Sequence, residues 1–127
     1  MCDTFRANFP GVECWTKDIF GLTGKTILDA IGIERGDLDM LDGSPPCQGF
    51  SLAGKRRVMD GRNDLSMEFA RLIEETMPKV FLMENVPDAP EPGVAGYLVH
   101  SVMFSDREVG GVTRRRRRFS FSSHGPT

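Results

Sequence analysis

The stretch from Leu38 to Ser51, LDMLDGSPPCQGFS, decides how the rest of the chain is read. Leu38, Met40 and Leu41 supply a short buried strand. Gly43 with the paired Pro45 and Pro46 ends it, because proline offers no backbone donor to a ladder. Cys47 then falls on a loop just beyond the strand's carboxyl end. Ligands and reacting groups collect at that edge of open α/β sheets, so a thiol there is better exposed for nucleophilic work than a core thiol. Position alone favours a plainer reading, a small buried hydrophobe. Its neighbours change the balance.

Downstream, residues 52–63 hold Gly54, Gly61 and several basic side chains, the composition of a loop able to close over a bound strand. Asp64 is placed to cap a helix whose Leu65, Phe69, Leu72 and Ile73 share one face and which Pro78 ends. Val80 to Met83 reads as a second buried strand, bringing Glu84 and Asn85 to the same sheet edge as Cys47. Strand, helix, strand in that order predicts an α/β fold with a parallel, right-handed crossover. Residues 87–96, rich in proline and glycine, form a connector without a helix. Tyr97 to Phe104 is expected to be a strand, GVTRRRRRF leads into a last strand at Phe119 to Phe121, and a hairpin joins them. One domain is expected over residues 1–121, with a disordered tail from Ser122 to Thr127 in which His124 is solvated rather than catalytic.

Upstream, Phe5 and Phe9 lie four apart in a helix closed by Pro10 and Gly11. Val12, Cys14 and Trp15 suggest a strand leaving Asp18 and Ile19 at its end. Gly21 to Thr26, GLTGKT, ends like a phosphate-binding loop. Its glycines are too close for successive amides to surround a phosphate, however, so nucleotide hydrolysis is set aside. Thr26 followed by Asp29 instead matches a capping pattern for a helix running to Ile31 and closed by Gly32.

The chain of 127 residues, 39% hydrophobic and 27% charged, has an ordinary composition for one globular core. Its apolar runs are far shorter than the roughly 18 residues of a membrane span, and no leader pattern opens it, so a soluble cytoplasmic protein with no membrane partner is expected. Cys2, Cys14 and Cys47 show no CxxC pairing, which argues against a disulfide framework and a structural zinc site. A net charge of −2 conceals two basic islands, Lys55, Arg56, Arg57 and Arg62 after the cysteine loop and Arg114 to Arg118 near the end. Either run alone reads as a solvated face. Two runs flanking a candidate thiol read as phosphate contacts.

PPCQGFS, then ENV after a strand, then GVTRRRRRF, resembles in order and context the cytosine-C5 DNA methyltransferases. The resemblance implies a partial Rossmann-like S-adenosylmethionine-dependent fold, with a mostly parallel sheet and a C-terminal hairpin. It implies S-adenosylmethionine as methyl donor, and as substrate a cytosine swung out of duplex DNA, which costs a few kcal/mol of unstacking and needs phosphate grips on both sides. On this reading Cys47 is the thiolate that adds to C6 and Glu84 supplies a proton at N3, while Arg116 and Arg118 match the family's active-site arginines, which orient the cytosine and its phosphate. Arg114 falls where the family usually has glutamine, and Arg117 where it often has glutamate. Asp18 matches an acidic residue that binds the donor's adenine, and Pro46 lies near its methyl-bearing end. Gln48 fills the gap left by the displaced base. Ser51 and Arg62 match DNA-contacting loop positions, joined by Lys55, Arg56 and Arg57 in the basic island.

The family's opening glycine-rich turn, its ribose-binding strand end and its target recognition domain have no counterpart in this sequence. A fragment or one part of a split enzyme is therefore expected, in which either the two flanking strands pair directly or a second polypeptide completes the sheet. An inactive nucleic-acid-binding remnant and a tRNA cytosine methyltransferase are the alternatives that the same residues leave open.

Overall fold

A computed structural model of the chain describes residues 1–46 and 65–123. Its helices are α1 (Cys2–Asn8), α2 (Gly24–Ile31) and α3 (Leu65–Thr76), and its strands are β1 (Met40–Gly43), β2 (Val80–Asn85), β3 (His100–Ser105) and β4 (Arg116–Ser123). The strands form one sheet in the order β1-β2-β4-β3. β1 and β2 are parallel, with Gly43 opposite Met83, and α3 makes the crossover between them. β4 runs antiparallel to both β2 and β3.

α3 forms where the apolar spacing placed it. Phe69, Leu72, Ile73 and Thr76 are buried along one stripe, and Phe69 and Ile73 pack with Phe81, Met83 and Val94 as the core. A side chain on Gly43 would collide with the Phe69 ring, so the bare Cα of Gly43 is what lets α3 lie close over β1. Met77 takes a left-handed φ of 49° after the last turn, and its N–H donates to the Ile73 carbonyl at 2.8 Å before Pro78 turns the chain into β2. The connector packs on the same side of the sheet: Ala89 and Val94 are buried, and the Tyr97 hydroxyl donates to the Pro78 carbonyl at 2.5 Å. The other sheet face carries Met40, Val80, Val102, Phe104 and Phe121, all substantially exposed.

Several expectations need correction. No strand forms at Val12 to Trp15. The carbonyls a ladder would use are taken by α1 side chains, Arg6 Nη2 donating to Cys14 O at 2.7 Å and Cys2 Sγ to Trp15 O at 3.7 Å. With that strand missing, the sheet is mixed rather than mostly parallel, while the α/β class and the C-terminal hairpin stand. The cap of α2 is Thr23, whose hydroxyl accepts from Thr26 N at 3.1 Å, and Asp29 pairs with Lys25 instead. Gly24 N donates to Glu75 Oε2 at 2.5 Å, so a carboxylate of α3 occupies the place a phosphate oxygen would take in a nucleotide loop. That N–H and then Arg71 hold Glu75 below the usual carboxylate range. β3 starts at His100 because Tyr97 turns into the core. β4 includes Arg116 to Arg118 and extends through Ser123, so the tail expected from Ser122 is moved: Ser122 is buried and opposite Phe81. The rest of that tail, with His124, lies outside the described residues.

Gly43→Ala is expected to lower stability by about 1–3 kcal/mol through overpacking against Phe69, seen as a reduced urea midpoint at unchanged slope.

Candidate active site

The parallel register sets the geometry of the carboxyl edge. Gly43 faces Met83, so Glu84 and Asn85 extend β2 alongside the turn through Pro45 and Pro46. Asn85 ties the two strand ends together, its Nδ2 donating to Pro45 O at 3.2 Å and to Ser66 Oγ at 3.4 Å. Its Oδ1 accepts from Val86 N at 2.8 Å, which fixes the amide's orientation. Asn85 stands at this edge by its position in the sequence, with no task implied there. Its buried position in an otherwise apolar strand was the available signal.

Alternation along the strands divides the candidate residues between two faces. Asn85 is opposite Arg118, and both lie on the side covered by α3. Among the described residues, Nε and Nη2 of Arg118 are buried nitrogens without a hydrogen-bond partner. A guanidinium desolvated in this way holds unspent donor capacity at the end of β2. Arg116 shares that face and is exposed.

Glu84 lies on the opposite face, beside Phe119. Its Oε1 is 2.8 Å from Arg117 Nε, both side chains being about three-quarters buried at 28% and 29% exposure. Glu84 is thus held in an ion pair, and the arginine that makes it is the one standing where the resembled family often has glutamate. The pair borders a cleft of about 450 Å³ walled by Phe104 and Phe119, with Arg115 and Asp106 at its rim. Asp106 accepts from both the N–H and the hydroxyl of Thr113, at 2.9 and 2.7 Å, which pins the turn that delivers the arginines into β4.

Asp18 is exposed, and its Oδ1 accepts from Phe20 N at 3.0 Å to cap the 3₁₀ turn Ile19–Gly21. Arg71 Nη2 fastens that turn to α3 by donating to Ile19 O at 3.0 Å and Leu22 O at 2.9 Å. The same guanidinium pairs with Glu68 and Glu75. Pro46 ends the described stretch after β1. Cys47, Gln48, Ser51, Lys55, Arg56, Arg57 and Arg62 lie outside the described residues. No helix is long and apolar enough to cross a membrane among the residues described.

The family model described as C-5 cytosine-specific DNA methylase matches residues 1–92. Type II methyltransferase M.AquIA of Picosynechococcus sp. is 45% identical over 86 residues, covering 67% of this chain and 35% of the relative. Type II methyltransferase M.AgeI of Thalassovita gelatinovora is 34% identical over 133 residues, covering 94% of this chain and 31% of the relative. The chain therefore spans about a third of the length of these relatives. Among solved structures, a prophage-encoded protein of E. coli assigned as a DNA modification methyltransferase superposes with a TM-score of 0.75 at 29% identity, covering 97% of this chain and 37% of the other. The S. pombe Dnmt2 methyltransferase superposes with a TM-score of 0.69 at 22% identity, covering 99% and 41%, and so shares the fold.

Arg118→Met is expected to leave stability unchanged or raise it by up to about 2 kcal/mol, because it removes buried donors that have no acceptor among the described residues. Urea denaturation of the DNA-free protein measures this, and a clear loss of stability would mean that Arg118 serves the fold instead.

Proposed function

Because this chain belongs to the C-5 cytosine-specific DNA methylase family, we propose that it carries the catalytic edge of a DNA (cytosine-5-)-methyltransferase acting on a cytosine displaced from duplex DNA. The observation that supports this most is the Asn85 side-chain bond to Pro45 O, which ties the turn leading to Cys47 against the end of β2. A nucleophile on that turn would work at the end of β2, which Glu84 and Arg118 border from opposite faces of the sheet.

In this reading the Cys47 thiolate adds to C6 of the ring, which makes C5 nucleophilic. Once its pair with Arg117 opens, the Glu84 carboxyl takes up a proton from solvent and passes it to N3. The unpaired donors of Arg118 receive the cytosine's oxygen, and exposed Arg116 takes its phosphate. Pro46 and Gln48 border the reacting ring and the gap it leaves in the duplex. Ser51, Lys55, Arg56, Arg57 and Arg62 grip the flanking backbone, a contribution that weakens as salt rises. Loss of the C5 proton with expulsion of Cys47 restores aromaticity.

S-adenosylmethionine, when bound, supplies the electrophilic methyl group. Asp18 fits its adenine end: one carboxylate oxygen is engaged by Phe20 N, the other is available to the adenine amino group, and Arg71 holds the main chain beside it. The partner in this reading, besides DNA, is a second polypeptide that adds strands along β1, which among the described residues pairs with β2 alone.

Covalent trapping tests the proposal. Duplex DNA carrying 5-fluorocytosine blocks the final elimination, so with S-adenosylmethionine the folded chain is expected to give a denaturation-resistant adduct. Cys47→Ser should abolish it, and Glu84→Gln should slow it about 100-fold or more. Adduct persisting in Cys47→Ser, or none from folded protein, would overturn the reading for this chain.

A further inference from the structure

Away from the carboxyl edge, the fold brings together one more pair of reactive groups. Cys2 opens α1, and Cys14 lies in the extended segment that runs to Asp18. Both thiols are free and half-buried, and they lie near enough for the Cys2 side chain to act on the Cys14 thiol. The approach is held from both sides. Cys2 Sγ also contacts Trp15 O at 3.7 Å, and Arg6, one turn along α1, donates to Cys14 O at 2.7 Å. The Cys2 contact, then burial, push the Cys14 thiol up, against the pull of Arg6 and the N-terminal ammonium.

We propose that Cys2 and Cys14 form a reversible disulfide, a redox modification site whose oxidant is a low-molecular-weight disulfide. The Cys2 thiolate attacks one sulfur of the external disulfide, forming a mixed disulfide and releasing one small thiolate. The Cys14 thiolate then attacks the Cys2 sulfur, closes the Cys2–Cys14 bond and expels the second small thiolate. The two protein thiols are oxidised, the external disulfide is reduced to two thiols, and the two cysteine protons pass through solvent to the released thiolates. The bond would lock α1 to the segment whose carbonyls its side chains already bind, just before the Asp18 turn. Nothing in this depends on the methyltransferase reading.

Trypsin separates the cysteines, since cleavage after Arg6, Lys17, Arg35 and Lys55 leaves Cys2 in residues 1–6, Cys14 in residues 7–17 and Cys47 in residues 36–55. The native chain is equilibrated with mixtures of glutathione and glutathione disulfide, quenched with acid and mapped without reduction by mass spectrometry. The expected product is the 1–6 peptide joined to the 7–17 peptide, with an effective thiol concentration about tenfold or more above that of the same chain in urea. Equal values in buffer and urea would overturn the proposal. So would a map dominated by glutathione adducts on Cys2 and Cys14 or by links to Cys47.

Discussion

The contact on which the structure depends is the Phe69 ring lying over Gly43. A helix crossing between parallel strands must come close to both, and at this point the sheet offers no side chain to hold it away. Phe69 and Ile73 can then reach Phe81 and Met83, and burying side chains of this size supplies about 1.5–3 kcal/mol each before entropy is counted. The close approach also fixes where β1 and β2 end relative to each other. It is the reason that Pro45, Ser66 and Asn85 meet.

On this frame the charged groups sort by strand alternation. Consecutive arginines in β4 cannot share an environment: Arg117 turns to the open face and pairs with Glu84, whereas Arg118 turns under the α3 side and keeps donors without acceptors among the described residues. A partly exposed ion pair such as Glu84 with Arg117 contributes little to stability, about 1 kcal/mol or less, so it can open at small cost. The buried donors of Arg118 cost more to keep. Retaining them makes physical sense if an acceptor arrives from outside, and a pyrimidine carbonyl is such an acceptor.

The sequence made the local elements legible wherever period and punctuation agreed. The Phe69, Leu72 and Ile73 stripe, the Pro78 stop and the β2 run gave α3 and the crossover, and PPCQGFS with ENV gave the family. What could not be read was set by partners distant in sequence. The strand expected at Val12 to Trp15 has suitable residues, yet Arg6 and Cys2 satisfy the carbonyls it would have offered to a neighbour. By spacing alone, Thr26 with Asp29 matches the cap of α2. Thr23 prevails because Gly24 must then reach Glu75, a contact 51 residues away in the chain. The Glu84 to Arg117 pair required knowing that β4 lies beside β2, which no spacing announces.

The central claim is that the end of β2 receives a cytosine through Arg118. The Arg118 Nε–H resonance, assigned by its loss in Arg118→Met, tests it most directly during titration with two duplexes matched in length and salt. One duplex carries a mismatched cytosine, and the other contains only A·T pairs. The account predicts that the cytosine duplex shifts this resonance strongly and the A·T duplex does not. Shifts confined to exposed arginines such as Arg114 and Arg116, with Arg118 unmoved by either duplex, would contradict it.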